Sequence, residues 1–448
     1  MNNFSKEIEK YAANTPARFH MPGHKGNLYD YDITELDFSD NLHNPTGIIL
    51  SLQERCARLY SAQNAFLLVN GSSSGVCAFF VALSLKLGRA PRILMSRDCH
   101  KSAMSGAFFS DAQICGVYPE NELGGTITPN SIENAILSLD DKPDAIVITS
   151  PNYYGMCADT EAIYNIAHKY NALLFVDCAH GAAFPFSKQL PSVPTCDCFV
   201  VSTHKTLEAL NQSAILLCSC SLTEELKTAL SMLQTTSPSY PIMMSIENAM
   251  NNGEKYNSHI ERIIKFRNTL KNNDIRLISQ PPSANDCDIT RLCICADNLA
   301  EDGYKLSELL KKDNIYVEMA DMNCIVCITT PADNDSWYEM LINSLCKIKN
   351  NFNGKSHLYK SSDITIDNKF CYTSVKSAFL CKSEYVSFEN SVNRSAACPI
   401  GVYPPGNSII LPNETITEQC INYLVKSREC GGELFGVKEN LIRVTQSK

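Results

Sequence analysis

The chain has 448 residues, of which 44% are hydrophobic and 19% are charged, a balance typical of a folded protein rather than a disordered one. Its 39 Lys and Arg residues against 48 Asp and Glu residues give a net charge of −9, which argues against a strongly basic nucleic-acid-binding surface. The sequence has no apolar run of about 18 residues, the length of a membrane span, and its N-terminal segment lacks the apolar core of a signal peptide. We therefore predict a cytoplasmic protein of two or three domains that binds neither nucleic acid nor a membrane.

The sequence contains 21 cysteines, an odd and unusually large number. Disulfide frameworks belong mainly to small secreted domains, so we expect reduced thiols here. Six of the cysteines form C-x-C pairs, which are Cys196 with Cys198, Cys218 with Cys220, and Cys293 with Cys295. In a strand both thiols of such a pair lie on one face, where buried cysteine packs as a small apolar side chain. We interpret these pairs as structural and predict no metal site.

Between residues 60 and 220, short apolar runs alternate with stretches long enough to form helices. Continuous apolar runs are typical of strands covered on both faces, as in a mostly parallel sheet. The predicted strands are 66–69, 92–96, 145–149, 173–177, 199–202 and 214–217, and 159–170 is one connecting helix. This alternation predicts an α/β layered domain.

The pattern changes after residue 220, where helical stretches at 222–275 precede a mixed region with strand-like 291–296 and 324–329. The polar stretch 349–367 is predicted to be a linker, and Tyr403-Pro-Pro-Gly406 is predicted to form a rigid turn. The predicted organisation is an N-terminal arm at 1–50, a major domain at 51–255, a small α/β domain at 256–350 and a C-terminal domain at 368–448.

A Gly- and Ser-rich segment, Asn70-Gly-Ser-Ser-Ser-Gly75, follows the first predicted strand and leads into an apolar helix. Parallel sheets bind ligands at the carboxyl ends of their strands, and a helix N-terminus with nearby hydroxyl groups suits an anion. Ser72, Ser73 and Ser74 are therefore candidate phosphate ligands. The segment lacks the lysine of a Walker loop, so it does not indicate nucleoside triphosphate binding.

Two further strand ends carry the residues that pyridoxal phosphate (PLP) chemistry requires. Asp177 ends one apolar run, and Lys205 follows the next in Ser202-Thr-His-Lys205. PLP needs a lysine for its Schiff base and a carboxylate that keeps its ring nitrogen protonated. Ser202 and His204 could complete a phosphate site. Singly, Asp177 would more often be a loop cap and Lys205 a solvated charge, but their combination in this order predicts a PLP site.

Several segments resemble signatures of the ornithine/lysine/arginine decarboxylases, bacterial PLP enzymes of the aspartate-aminotransferase fold type. The similar segments are 18–26 (RFHMPGHKG), 40–47 (DNLHNPTG), 70–75, 99–102 (CHKS), 149–155 (TSPNYYG), 177–181 (DCAHG), 202–206 (STHKT) and 403–406 (YPPG). The resemblance implies PLP fold type I, with a mostly parallel seven-stranded-type sheet, helices on both faces and smaller α+β C-terminal domains.

The resemblance also implies a role for each matching residue. Lys205 would form the Schiff base with PLP, and Asp177 would pair with the pyridine nitrogen. His100 would stack on one face of the ring, Ala179 would close the other, and His180 would lie near the phenolic oxygen. The implied phosphate ligands are Ser72, Ser73, Ser74, Ser202 and His204. Either Lys205 or His204 could donate the proton that replaces the carboxylate.

The implied activity is α-decarboxylation of a basic amino acid to an amine and CO₂, in polyamine-type metabolism. Arginine is the first expected substrate, followed by lysine or ornithine. The chain begins near the first signature, so it resembles the short family form that lacks an N-terminal wing domain. The resemblance further implies a homodimer whose active site lies at the subunit boundary.

The C-terminal signature departs from the family pattern at Pro405-Gly-Asn-Ser408 and Pro412-Asn-Glu414, so its contribution to the substrate pocket is open. Fold does not determine reaction type, and an aminotransferase, an aldolase and a β-eliminating lyase are alternatives. A catalytically idle regulatory relative is the alternative from another class. The presence of both Asp177 and Lys205 argues against an idle protein.

Overall fold

The computed structural model describes residues 3–120, 123–356, 370–403 and 406–446. The helices are α1 Phe4–Ala13, α2 Ile48–Leu59, α3 Gly71–Leu87, α4 Lys101–Ser110, α5 Pro129–Ser138, α6 Thr160–Lys169, α7 Thr203–Thr206, α8 Thr223–Leu233, α9 Tyr240–Asn251, α10 Tyr256–Asn272, α11 Gly303–Lys312, α12 Asp335–Asn351, α13 Val375–Leu380, α14 Phe388–Ser391 and α15 Glu418–Glu429. Two short 3₁₀ helices are Phe184–Phe186 and Gly253–Lys255.

The strands are β1 Asn64–Leu68, β2 Arg92–Ser96, β3 Gln113–Val117, β4 Ala145–Thr149, β5 Met156–Cys157, β6 Leu173–Asp177, β7 Cys198–Val201, β8 Ala214–Cys218, β9 Asp286–Cys287, β10 Arg291–Cys295, β11 Met319–Ala320, β12 Cys324–Ile328, β13 Thr373–Ser374, β14 Ser383–Ser387, β15 Ile400–Tyr403, β16 Asn407–Ile410, β17 Glu433–Phe435, β18 Val437–Lys438 and β19 Leu441–Thr445.

The main sheet has eight strands in the order β1-β8-β7-β6-β4-β2-β3-β13. The five central strands from β7 to β3 pair in parallel, whereas β8 and β13 are antiparallel to their neighbours. Two apolar cores, one on each face, cover the sheet. The predicted α/β fold with a mostly parallel sheet is therefore confirmed, with β13 as an additional strand from the C-terminal part of the chain.

Helix α3 lies directly against this sheet because Gly75 allows a close approach. A Cβ atom at Gly75 would lie 2.8 Å from Leu68 and 3.0 Å from Val200, so a larger residue would push the helix away. The helix is apolar on all sides and contacts both α4 and α8. This packing fixes the N-terminus of α3 beside the carboxyl end of β1.

The N-terminal residues also pack onto the major domain. Phe4 is fully buried, and its ring stacks on that of Tyr240 at 6.1 Å. Glu247 accepts hydrogen bonds from the first N–H groups of α1 and pairs with Arg55 at 2.6 Å. The Asp40 carboxylate accepts from backbone N–H groups at the start of α2, which assigns the 40–47 segment a capping role.

Three small antiparallel sheets lie beyond the major domain: β10-β12-β11, β14-β19-β18 and β16-β15-β17. The first packs with α10, α11 and α12 around its own core, and the other two share a core with α15. The linker prediction was wrong at 349–351, because α12 extends through Asn351. Residues 357–367 of that linker and Pro404-Pro405 of the predicted turn lie outside the described residues. The four-part domain division stays a prediction.

Within the described parts of the chain, no helix combines the length and the apolar character that crossing a membrane requires.

Candidate active site

Five strands of the main sheet end along one edge, because β1, β2, β4, β6 and β7 all run in the same direction. The segments that follow them carry the residues singled out in the sequence: 72–74 after β1, His100 after β2, Tyr153 after β4, 177–180 at the end of β6 and 202–205 after β7. The structure therefore brings every predicted site residue to one edge of the sheet.

Lys205 lies on the short helix α7, and its side chain contacts His180. The Lys205 Nζ atom is 3.1 Å from Nε2 of His180, and it lies 5.6 Å from the centre of the Tyr153 ring. Burial lowers the pKa of Lys205, and the Arg291 guanidinium lowers it further, whereas Asp177 opposes the shift. A lowered pKa increases the neutral amine fraction that a Schiff base requires.

Arg291, the first residue of β10, reaches the other side of the same imidazole. Its Nη2 atom lies 3.0 Å from Nδ1 of His180. The guanidinium is buried, and its Nε and Nη1 atoms have no hydrogen-bond partner among the described residues. Gly155 makes room for this side chain, because a Cβ atom there would lie 2.6 Å from Cγ of Arg291.

These contacts determine the protonation of His180. Burial, followed by the charges of Lys205 and Arg291, holds the pKa of His180 well below its usual value, so the ring is neutral. Arg291 can only donate, which makes Nδ1 the acceptor and places the ring proton on Nε2. The Nε2–H group then faces the Lys205 amine, and the lowered pKa of Lys205 favours the neutral amine that can accept this hydrogen bond. The three side chains form a directed chain of hydrogen bonds from Arg291 to Lys205.

Asp177 is buried at the carboxyl end of β6, where its Oδ1 atom accepts a hydrogen bond from the Ala179 N–H group at 3.2 Å. Its negative charge raises the pKa values of both His100 and Lys205, although burial has the larger, opposite effect on each. Asp98 is a second acidic group here. Burial, together with the Asp177 charge, raises the pKa of Asp98 to about 6.

His100 is the N-cap of α4, where its Nδ1 atom accepts from the Ser102 N–H group at 3.2 Å. This contact, together with the Ser102 hydroxyl 2.9 Å from the same Nδ1 atom, fixes the ring orientation. Burial lowers the pKa of His100, and Lys205 contributes in the same direction against Asp177. A neutral, oriented imidazole is suited to stacking on a flat ring.

The predicted phosphate ligands surround the start of α3 and α7. Ser202 Oγ is fully buried and has no partner among the described residues. Ser74 Oγ donates to the Gly71 carbonyl at 2.8 Å, whereas Ser72 and Ser73 lie in the first turn with greater exposure. His204 Nδ1 lies 2.8 Å from the Ser213 carbonyl oxygen and donates to it. The partnerless hydroxyl group and the first-turn N–H groups of α3 fit an anion, and these assignments stay predictions.

Glu318 was not identified from the sequence. It immediately precedes β11, is exposed, and its negative charge raises the pKa values of Lys205 and Tyr153, although burial is the main influence on both. Tyr403, at the end of β15, also acts on Tyr153. The β10-β12-β11 sheet region thus supplies an acidic group, and the β16-β15-β17 sheet an aromatic group, near the main-sheet site.

Glu414, in the altered C-terminal signature, pairs with Arg97 on the strand end that leads to Asp98. Arg97 Nη1 donates to Glu414 Oε2 at 2.8 Å, and the Arg97 guanidinium lies 4.3 Å from the Tyr118 ring centre. The Glu414 carboxylate also accepts from the Leu411 N–H group. Glu414 therefore attaches the C-terminal part of the chain to the segment that carries His100.

Residues 3–291 of the chain match the family described as Orn/Lys/Arg decarboxylase, major domain. An arginine decarboxylase of Bacillus subtilis (strain 168) is 28% identical over 474 aligned residues, which cover 98% of this chain and 96% of the relative.

Solved structures show the same fold. Lysine decarboxylase A from Pseudomonas aeruginosa has a TM-score of 0.84 at 17% identity, covering all of this chain and 80% of its own. A serine palmitoyltransferase from S. paucimobilis with bound PLP has a TM-score of 0.54 at 15% identity, covering 70% of this chain and 81% of its own. The expected PLP fold type I is therefore confirmed.

Proposed function

Because the chain belongs to the Orn/Lys/Arg decarboxylase family, we propose that it catalyses PLP-dependent α-decarboxylation of a basic amino acid, with arginine as the first choice. The observation that carries this proposal is the Lys205 amine, whose pKa is lowered by burial, 3.1 Å from Nε2 of His180 and near the buried Asp177. Arginine is favoured because the near-full-length relative from Bacillus subtilis is named an arginine decarboxylase. Lysine is the second choice, because the solved structure from Pseudomonas aeruginosa is a lysine decarboxylase.

The residues present fit PLP. Lys205 offers the amine for covalent attachment, Asp177 offers a carboxylate for the ring nitrogen, and His100 with Ala179 would hold the two ring faces. The partnerless Ser202 hydroxyl and the N-terminus of α3 suit the phosphate. When bound, PLP supplies a pyridinium ring that accepts the electron pair left behind when the substrate carboxylate departs as CO₂.

The protein side chains bind and orient the substrate and control proton positions. Asp177 would keep the ring-nitrogen proton in place, because a buried carboxylate strongly favours a positively charged partner. We assign delivery of the replacement proton to Lys205 rather than His204. The basis is geometric, since the Lys205 amine is held by His180 and can take up the proton that the substrate ammonium group releases, whereas His204 Nδ1 is engaged with Ser213.

We assign the cationic end of the substrate to Glu318. A guanidinium or ammonium group needs a carboxylate partner, and Glu318 is an exposed acidic group whose charge acts on both Lys205 and Tyr153. Among the described residues, no hydrogen bond or ion pair joins Glu318 to Lys205, which leaves the Glu318 carboxylate available to a substrate. The amine product would belong to polyamine-type metabolism.

Incubation of the purified protein and PLP with arginine, lysine and ornithine in turn tests the activity. We expect a yellow protein that releases equal amounts of CO₂ and amine, most rapidly from arginine. Borohydride reduction and peptide mass mapping should place the pyridoxyl group on Lys205. Production of a keto acid instead of an amine would indicate an aminotransferase, and a label on Lys25 or Lys101 would contradict the site assignment.

We further propose a homodimer with the active site at the subunit boundary. Large apolar side chains in the N-terminal 18–29 segment are exposed, including Phe19 at 97% and Leu28 at 84%, which is unusual unless a partner covers them. In the same segment His24 pairs with Asp32 at 3.0 Å, and Lys25 donates to the His20 carbonyl, so the loop has a defined shape.

Subunit mixing tests this arrangement. Neither a Lys205→Ala protein nor a His24→Ala/Lys25→Ala double variant should be active alone if both parts serve one site. Mixed dimers should regain part of the activity, because one of their two sites would contain only unaltered residues. An active enzyme that light scattering shows to be a monomer would contradict the proposal.

A further inference from the structure

Three cysteines from two of the C-x-C pairs meet at the end of the main sheet opposite the active-site edge. Cys198 begins β7 and lies opposite Cys218 in the antiparallel register with β8, and Cys220 follows β8 by two residues. The Cys198 and Cys218 side chains are fully buried, whereas Cys220 is partly exposed. Lys205 follows the other end of β7, so this cluster is separate from the proposed catalytic site.

The distances between the sulfur atoms match those in a tetrahedral thiolate site. Cys220 Sγ lies 3.6 Å from Cys198 Sγ and 3.7 Å from Cys218 Sγ, and all three sulfurs lie within 4.8 Å of one another. In a tetrahedral zinc site with Zn–S bonds of about 2.3 Å, two sulfur ligands are about 3.8 Å apart. The sulfurs of a disulfide would be about 2.05 Å apart.

The backbone around the cluster is held in place by contacts outside it. The Ser219 N–H group donates to the Asp197 carbonyl at 2.8 Å, which fixes the C-x-C loop against the start of β7. The Gln63 N–H group donates to Ser219 Oγ at 3.3 Å on the other side. The thiols therefore converge on rigid elements, which is a requirement for a preorganised metal site.

We propose that Cys198, Cys218 and Cys220 bind one Zn²⁺ ion through their three thiolates. On binding, each thiol proton passes to solvent as a Zn–S bond forms, which leaves the zinc–trithiolate unit with a net negative charge. The fourth position would be taken by a water molecule that enters beside the partly exposed Cys220. Cys196 is outside the ligand set, since its thiol is directed to the Pro194 carbonyl at 3.7 Å. The site revises the purely structural interpretation of these cysteines.

Metal analysis of the full chain tests the proposal independently of enzymatic activity. Protein expressed with added Zn²⁺ and purified without chelator should contain about one zinc per chain. X-ray absorption should show three sulfur neighbours at about 2.3 Å. After removal of zinc, Co²⁺ should produce the intense near-ultraviolet sulfur-to-cobalt absorption of a thiolate site.

Substitution of Cys220 provides the variant most compatible with folding, because this residue is partly exposed. Cys220→Ser should weaken Zn²⁺ binding by at least about 100-fold, more than the loss of an outer-shell partner causes, whereas Cys220→His should restore much of the affinity. Cys371→Ser is the matched control, since Cys371 is an exposed thiol outside the cluster and should not affect binding. Circular dichroism verifies that each variant is folded.

Three results would overturn the proposal. The first is a folded protein without stoichiometric zinc and without the cobalt–sulfur absorption, which would mean that the thiols only pack together. The second is loss of zinc in the Cys371→Ser control, which would indicate adventitious surface binding. The third is a metal-free protein in which two of the three thiols are oxidised to a disulfide.

Discussion

The Nη2 atom of Arg291 lies 3.0 Å from Nδ1 of His180, and this contact determines which imidazole nitrogen carries the proton. Arginine cannot accept a hydrogen bond, so the proton of the neutral ring resides on Nε2 and is directed at Lys205. Arg291 on β10 thereby acts on Lys205 on α7, whose pKa it lowers in addition to the larger effect of burial. Arg291 does not contact Lys205, and its proposed role is to position and polarise His180.

Replacement of Arg291 by Met tests this role while retaining most of the side-chain volume against Gly155. Loss of the positive charge should raise the pKa of Lys205, so a smaller fraction of the amine is neutral at pH 7. We expect PLP capture at pH 7 to slow about tenfold, corresponding to the ~1.5 kcal/mol of a hydrogen bond to a charged group. Stopped-flow absorbance across pH measures the capture rate.

The pH profile distinguishes this effect from simple structural damage. In Arg291→Met the midpoint of capture should move to higher pH, and at sufficiently high pH the rate should recover. Arg291→Lys retains a positive charge and should move the midpoint less. A slow rate at every pH with an unchanged midpoint would refute the proposed control of Lys205.

Asp177→Asn should separate cofactor binding from turnover. The amide is nearly the same size as the carboxylate and can still contact the ring nitrogen, but it cannot hold a proton there. We expect PLP capture by Lys205 to persist while kcat falls by about 10²–10³, the usual effect of removing one preorganised electrostatic partner. Borohydride trapping and CO₂ release measure the two properties separately. Turnover near that of the unaltered protein would contradict the assignment of Asp177.

Glu318→Gln should impair substrate binding more than the chemical step. Removal of a charge-assisted hydrogen bond worth about 1.5–3 kcal/mol predicts a KM for arginine that rises roughly 10- to 100-fold. The kcat value should change much less, because Glu318 is assigned to the distant cationic end. Glu339→Gln is the matched control, since Glu339 is also exposed but lies on α12. An unchanged KM in Glu318→Gln would require another acidic partner.

Glu414→Gln should destabilise the folded protein. Arg97 is buried, and removal of its charged partner leaves an uncompensated guanidinium, which typically costs about 3 kcal/mol. Urea unfolding followed by circular dichroism measures the effect. Glu308→Gln, which disrupts an exposed pair with Lys305, is the control and should leave the midpoint nearly unchanged. Equal effects of the two substitutions would contradict a structural role for the Arg97–Glu414 pair.

Local sequence patterns predicted the centre of the fold well. The predicted strands 92–96, 145–149 and 173–177 coincide with β2, β4 and β6, because continuous apolar runs between polar boundaries suit strands buried on both faces. β3 was not predicted, since Gln113–Val117 begins with a polar residue and its apolar run is interrupted by a glycine. β13 was not predicted because its two residues become a strand only by pairing with β3.

The candidate site was predictable where its residues follow those strands. Lys205, Asp177 and His100 each have a signal in their immediate neighbours. Arg291 and Glu318 do not, because they belong to the small domain and reach the site only through its packing against the main sheet. The three-thiol cluster was not predicted, because the C-x-C spacing does not reveal which thiols of different strands meet.

The pairing of β13 with β3 affects how the chain can be shortened. Without residues 373–374, β3 would become an edge strand with unpaired N–H and C=O groups. Such an edge is a template for strand addition by another molecule, which leads to aggregation. A fragment ending near residue 350 would therefore retain every proposed PLP-binding residue. Its main sheet would nevertheless expose the unpaired edge of β3, which would promote aggregation. The C-terminal segment thus protects the solubility of a domain to whose proposed cofactor site it contributes no residue.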